Sequence, residues 1–358
     1  MRKVFFLVAF FLVTGPVLGQ SSKAGLFIDS FVTKNNFNGT ILLAKKNKAW
    51  YKKSFGSANF QQQVPNTTDT RYKIASITKA FTAVLVLQLY EQGKIDLNKT
   101  ISTYLPDYKG EAANKVTVVQ LLNMTSGIHN MDADLSLESA LKQGMPQYQL
   151  PHTSDEMLTR YGSGKLENEP GKVWDYNNAD YIILGKIIER ITSKTFEEHL
   201  QANILQPLLM TNSGIAYQQK MIPRLADTYF YREDIKAMVN DLPAYMENWY
   251  ASGAMYSTVD DILKFANALF EKKLLKQATL DLMFTSGLSE YGYGVWVYKD
   301  YDIHHKNYTI IKRPGSIMGA QAMLFHVLEE GSTIIILSNT ATASLDEFAA
   351  KIATRIVE

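Results

Sequence analysis

The chain has 358 residues, 46% of them hydrophobic and 20% charged, the balance of a packed globular protein and not of a disordered one. Its 37 Lys+Arg against 35 Asp+Glu give no strong field, which argues against nucleic acid or a charged membrane surface as partner. It has no cysteine, so disulfides, thiol nucleophiles and thiolate metal sites are all excluded.

The first stretch, MRKVFFLVAFFLVTGPVLGQSS, has a basic start and an apolar run too short to span a bilayer comfortably. Val17 and Gly19 follow at suitable places for cleavage. Residues 1–19 therefore read as a secretory signal peptide cut near Gly19, the alternative being an uncleaved anchor. Loss of Arg2 and Lys3 leaves 35 basic against 35 acidic residues, a near-neutral exported protein, periplasmic or secreted, with no transmembrane span. Residues 20–358 form the functional domain.

FNGTILLAKKNKAWYKKSFGSANF (37–60) predicts two strands around a polar turn at Lys46–Lys48. ITKAFTAVLVLQLYEQG (77–93) is apolar nearly all round, the pattern of a buried helix ending near Gly93. NADYIILGKIIERITSK (178–194) sets Ile182, Ile183, Ile187, Ile188 and Ile191 on one helical face. STVDDILKFANALFEKK (257–273) predicts a helix capped by Ser257 or Thr258 with acidic residues in its first turn. After Gly287 the period changes to about four strands, with a turn at Glu330-Gly331, and SLDEFAAKIATRIV closes the chain as an amphipathic helix. The expected fold is α+β: one antiparallel sheet built from both chain ends (about 23–75 and 250–358), flanked by helices, with a mostly helical insertion over about 76–249.

Three constellations carry chemistry. In YKIASITKAF (72–81), Ser76 and Lys79 stand one turn apart at a helix start, where free N–H groups and the dipole favour developing negative charge. Ser76 as a helix cap beside a solvated lysine is the plain alternative, and the two roles are compatible. Ser139 and Lys142 repeat the spacing on an ordinary amphipathic helix, whereas Lys79 leads into a wholly apolar segment where an amine must find a partner. In WDYNNADY (174–181), a Tyr176 phenol near an ammonium loses its proton below the usual value near ~10 and can serve as base and then acid. Asn178 offers an amide to Lys79 or a substrate carbonyl; a packed tyrosine and an asparagine N-cap are the plain readings. In IKRPGSIMGAQAML (311–324), Arg313 supplies a cation, and Gly315 and Gly319 allow close backbone approach, or the stretch is simply a charged edge strand with a bulge.

Together these stretches resemble the serine β-lactamase and penicillin-binding-protein superfamily, in its branch of class C β-lactamases, D-Ala-D-Ala carboxypeptidases and esterases. The resemblance runs from about 37 to 350: Ser76-x-x-Lys79, Tyr176-x-Asn178 and Arg313-Pro314-Gly315 stand at its three motifs, and LLNMTSGI, ASGAMYSTVDDILKFANAL and YGYGVWV resemble its connecting segments. It implies a β-lactamase/transpeptidase-like fold in which Ser76 is acylated and Lys79 and Tyr176 share proton transfer. Asn178, Arg313, Gly315 and Ser316 would contact substrate, with the Ser76 and Ser316 N–H groups as oxyanion hole. No metal or cofactor is implied. The substrate would be a small molecule or peptide, such as a cell-wall stem peptide, a β-lactam or a small ester, and the oligomeric state stays open.

Two positions depart from the pattern. The third motif usually opens with lysine or histidine and has a small or hydroxylic middle residue; here Arg313 can draw a carboxylate or depress Tyr176, and Pro314 lacks both N–H and hydroxyl. Met124 stands where relatives often carry histidine. Weak β-lactam turnover is the expectation. The alternative function is a penicillin-binding or sensor-type module that acylates or binds without efficient turnover. A Ser-His-Asp hydrolase is disfavoured because no G-x-S-x-G elbow occurs. His304-His305 reads as a solvated turn, and the resemblance sets His129 near the pocket with its role left open. Loops around 128–165 and 215–250 are expected to shape the pocket.

Overall fold

The computed structural model describes residues 23–357. The expected signal peptide, residues 1–19, lies outside the described residues. At the centre stands a six-stranded antiparallel sheet of β1 (Gly39–Lys45), β2 (Lys48–Phe55), β3 (Trp296–Ile303), β4 (Lys306–Ile317), β5 (Ala320–Val327) and β6 (Ser332–Ser338), in the order β3-β4-β5-β6-β1-β2. The two ends of the chain meet in register where β1 pairs β6, Leu42 opposite Ile335.

β1 and β6 are buried on both faces, which is why they read as unbroken apolar runs. Ile41, Leu43, Ile334 and Ile336 face a core shared with α1 (Lys23–Lys34) and the C-terminal helix Leu345–Ile356, whereas Leu42, Ala44, Ile335 and Leu337 face the larger core under the helical region. β2 is an edge strand, and its exposed Lys48, Lys52 and Lys53 discourage pairing with another chain. The β1–β2 hairpin turns on Lys46 and Asn47, both with positive φ, the geometry that suits a two-residue hairpin loop.

The sequence-based boundaries need two corrections. Residues 23–34, assigned to the sheet region, are helix: Ala24, Ile28, Phe27 and Phe31 recur at helical spacing against Phe348. The region 76–249, expected to be mostly helical, also carries the hairpin Tyr229–Arg232/Ala237–Asn240 and a short strand at Gly214–Ile215.

Three helices bring the site together. α2 (Thr78–Glu91) buries every residue from Thr78 to Leu87, so it runs through the core and not over it. α3 (Asn178–Thr192) crosses beside it; a side chain at Gly185 would strike Tyr250 and Ala251, so the glycine lets the turn Tyr250–Gly253 close on both helices. α4 (Val259–Phe270) lies under the sheet, its first turn capped by Thr258. Among the described residues, no helix is long and apolar enough to cross a membrane.

Candidate active site

Ser76 sits in the 3-10 turn Ala75–Ile77 that feeds α2. It does not cap the helix as the sequence suggested: the cap position is Ile77, with no side-chain cap bond, and the Thr78 hydroxyl donates to the Ala75 carbonyl instead. The Ser76 hydroxyl is thereby free to accept from Lys79 Nζ at 3.2 Å. Ala75, directly before it, is buried with φ at 47°, a left-handed conformation that costs a non-glycine residue strain and forms part of the sharp turn presenting the serine.

Lys79 is fully buried, and its other two bonds go to Asn178 Oδ1 at 2.6 Å and the Ser252 carbonyl at 2.8 Å. All three ammonium hydrogens thus have acceptors, as a buried amine requires. Burial lowers its pKa to about 8, aided by Arg313 and opposed by Tyr176 and Asp132. Tyr176 packs its ring 4.8 Å from the Lys79 ammonium. Burial pushes its phenol up, but Arg313 and Lys79 outweigh that and bring it down to about 8. Each group's charge thus shifts the other.

Asn178 begins α3 without capping it. Asn177 does that, its Oδ1 accepting from the Ala179 N–H at 2.9 Å, so the neighbouring amide can point at Lys79.

Arg313 is 0% exposed and lies behind the phenol. It donates from Nε to the Ser76 carbonyl (2.6 Å) and from its two terminal nitrogens to the Tyr291 hydroxyl (2.9 Å) and the Tyr176 hydroxyl (2.5 Å). The rings of Trp296, Tyr176 and Tyr291 stand 5.2, 5.4 and 5.9 Å from the guanidinium. Its hydrogen-bond partners are one carbonyl and two phenols. A buried guanidinium stays charged, and its charge favours ionisation of the Tyr176 phenol that it holds.

Gly315 lies flat against the nucleophile turn. A Cβ there would come within 2.3 Å of the Ile74 carbonyl oxygen and 3.0 Å of the Ser76 nitrogen. Ser316 is exposed at the end of β4, next to that contact. Three segments separated by some hundred residues each therefore converge on one hydroxyl.

The beta-lactamase family profile matches residues 27–357. The chain belongs to that family. It is similar to penicillin-binding protein 4* of Bacillus subtilis, 26% identical over 86% of this chain and 69% of that protein. It is also similar to the teichoic acid D-alanine hydrolase of Staphylococcus aureus, 24% identical over 74% of this chain and 62% of that protein. The penicillin binding protein from Bacillus halodurans superposes with a TM-score of 0.76 at 25% identity, covering 91% of this chain and 98% of that one.

In this beta-lactamase-family serine hydrolase several site residues escaped the sequence reading. Asp132 accepts from Asn178 Nδ2 at 2.6 Å, Ser252 offers its carbonyl to Lys79, and Trp296 stacks on Tyr176. None stands in one of the three motifs, and the contacts span 46 to 173 positions in sequence. Other residues fall elsewhere. Ser139 and Lys142 lie on the exposed helix Leu137–Gln143, where Ser139 serves a capping box with Ser136 and Lys142 pairs with Glu138. His304 and His305 form the positive-φ turn between β3 and β4. His129 pairs with Glu167 at the surface. Met124, buried, accepts at Sδ from the Asn177 N–H.

Proposed function

We propose that this protein is an exported serine hydrolase that forms an acyl-enzyme on Ser76 and acts on D-alanyl-type amide or ester bonds, with weak turnover of β-lactams. The single observation that carries the reading is the Ser76 hydroxyl held by the buried Lys79, in hydrogen-bonding reach of a Tyr176 phenol that Arg313 keeps acidic. The deprotonated member of the Lys79–Tyr176 pair, amine or phenolate, takes the Ser76 proton as Oγ bonds to the acyl carbon. The same proton passes to the leaving nitrogen or oxygen as its bond to carbon breaks. Water then attacks the ester, gives its proton to the pair, and the acid leaves as the proton returns to Ser76 Oγ. The negative oxygen formed in each half falls to the Ser76 and Ser316 N–H groups, which Gly315 allows to lie close together.

The chemistry of the acyl group draws support from the S. aureus relative named for teichoic acid D-alanine hydrolysis. Export rests on the reading of residues 1–19. The buried Arg313 has its donors turned inward and Pro314 has no N–H, so this strand gives little to the carboxylate of a β-lactam or of a D-Ala-D-Ala peptide.

The test compares wild type and Ser76→Ala on a D-alanine ester, a D-Ala-D-Ala peptide and nitrocefin. The expected result is ester turnover well above nitrocefin turnover, and none in the variant, whose melting is unchanged. Wild-type activity in Ser76→Ala ends the proposal. Stable labelling by penicillin with no product release would favour a penicillin-binding or sensor-type module.

A further inference from the structure

Asp132 follows the loop at Gly127–Ile128 and has no place in the three motifs. Its carboxylate accepts from Asn178 Nδ2 at 2.6 Å, and both its oxygens accept from the Tyr148 hydroxyl, at 2.8 and 3.0 Å. Tyr148 is buried and stacks flat on Trp249, centroids 3.7 Å apart and planes 2° from parallel. The Trp249 carbonyl in turn accepts from the Ser252 hydroxyl, and the Ser252 carbonyl accepts from Lys79. A closed ring of contacts therefore runs from Lys79 through Asn178, Asp132, Tyr148, Trp249 and Ser252 back to Lys79.

The end atoms of an asparagine amide have nearly the same shape, so packing alone cannot fix which one faces Lys79. An ionised carboxylate can, because it only accepts hydrogen bonds. Facing Asp132, Nδ2 must turn toward it, and Oδ1 is then left for the ammonium. Reversed, the amide would aim its own donors at the three donors of Lys79, and both groups would be buried unsatisfied.

We propose that Asp132, locked by Tyr148, is a positioning residue for the reaction: it holds Asn178 in the orientation that accepts from Lys79 and so fixes the amine beside Ser76. The inference rests on Ser76 being the nucleophile. The groups that face Lys79 and Asp132 are Tyr176, Tyr181, Arg313, Asp180, Tyr148 and Asn178. Of these, Asp132 and Tyr176 favour the ammonium, while Arg313 and burial oppose it.

The full chain and its Asp132→Asn, Asp132→Glu, Tyr148→Phe and Ser76→Ala variants are compared with a p-nitrophenyl ester as probe, by kcat and KM across pH 5 to 10 and by thermal melting. Asp132→Asn is expected to lower kcat by about tenfold or more with KM changed less than about twofold, since positioning is lost and not binding. Its acidic limb moves to lower pH, because the anion that favours the Lys79 proton has gone. Asp132→Glu recovers part of both effects. A lower melting temperature with an unmoved limb, or wild-type kcat in Asp132→Asn, overturns the proposal. Should Asp132→Asn fail to fold, Tyr148→Phe, which leaves the carboxylate but removes its lock, is expected to lose kcat; wild-type kcat there overturns it equally. Activity in Ser76→Ala would sink the functional reading itself. An inert Ser76→Ala beside an unaffected Asp132→Asn would sink only this inference.

Discussion

Arg313 donates to the Tyr176 phenol across 2.5 Å while its Nε holds the carbonyl of Ser76 at 2.6 Å. One side chain from β4 thus fixes both the phenol and the backbone of the nucleophile it serves. Its charge stands behind the phenol, shut off from solvent by Trp296 and Tyr291. In low dielectric that charge acts on Tyr176 far more strongly than it would at the surface.

Replacing Arg313 by glutamine removes the cation that brings the phenol down to about 8. The phenol then rises to its ordinary value near ~10 or beyond, so the ionised fraction at pH 7 falls by about 100-fold. The expected result is a fall of that order in kcat/KM at pH 7 and partial recovery above pH 9. A pH–rate profile whose acidic limb does not move upward in the variant would refute this account of Arg313.

Gly315→Ala places a methyl group 2.3 Å from the Ile74 carbonyl oxygen and 3.0 Å from the Ser76 nitrogen. Those are backbone atoms and cannot rotate away, so β4 and the nucleophile turn must part. The expected stability loss is about 1–3 kcal/mol, as for other overpacked sites. Activity should fall further, by about 100-fold, because the shift lies at the reacting atoms. Melting and ester turnover measured on one preparation check both, and turnover that fell only as far as stability would count against the placement of the oxyanion hole.

Asp180 is fully buried near the start of α3, and neither of its carboxylate oxygens has a hydrogen-bond partner within normal distance. Burial raises its pKa well above the ordinary carboxylate range, despite a weak contact with Ser126 and the charge on Lys79. A raised carboxyl contributes its full stability below the unfolded value near ~3.9 and loses it as pH climbs toward the folded value. Asp180→Asn abolishes that loss. Its melting temperature should exceed wild type by a few degrees at pH 8, and the gap should shrink as pH falls to 5. A gap independent of pH would show that Asp180 is ionised in the folded protein.

Local pattern carried the strands and helices because each writes its own period into the chain. The unbroken apolar run of β1 and the all-round apolarity of α2 are of this kind, and so are the cap at Thr258 and the turn at Glu330-Gly331. The helix over 23–34 was missed because its apolar stripe is short and half-covered, buried at Ala24, Gly25 and Ile28 alone. The caps fall one residue from the candidates Ser76 and Asn178, at Ile77 and Asn177, since an N-cap is a backbone conformation before it is a residue type. Asp132 gave no signal whatever: its partners lie 16 and 46 positions away, and nothing in an MDAD stretch distinguishes a pocket carboxylate from a solvated one.

Residue identity and spacing supplied the candidate groups, a hydroxyl one helical turn from an amine that must be buried, a phenol beside an asparagine and an arginine before a glycine, with no thiol, and their joint resemblance to one family chose the chemistry. Tertiary structure decided which way each group faces. The inward turn of Arg313 toward Tyr176, the hold of Asp132 on Asn178 and the flat approach of Gly315 to Ser76 are through-space contacts between segments far apart in the chain. Direction in space depends on how distant surfaces pack, and a sequence window holds only neighbours along the backbone.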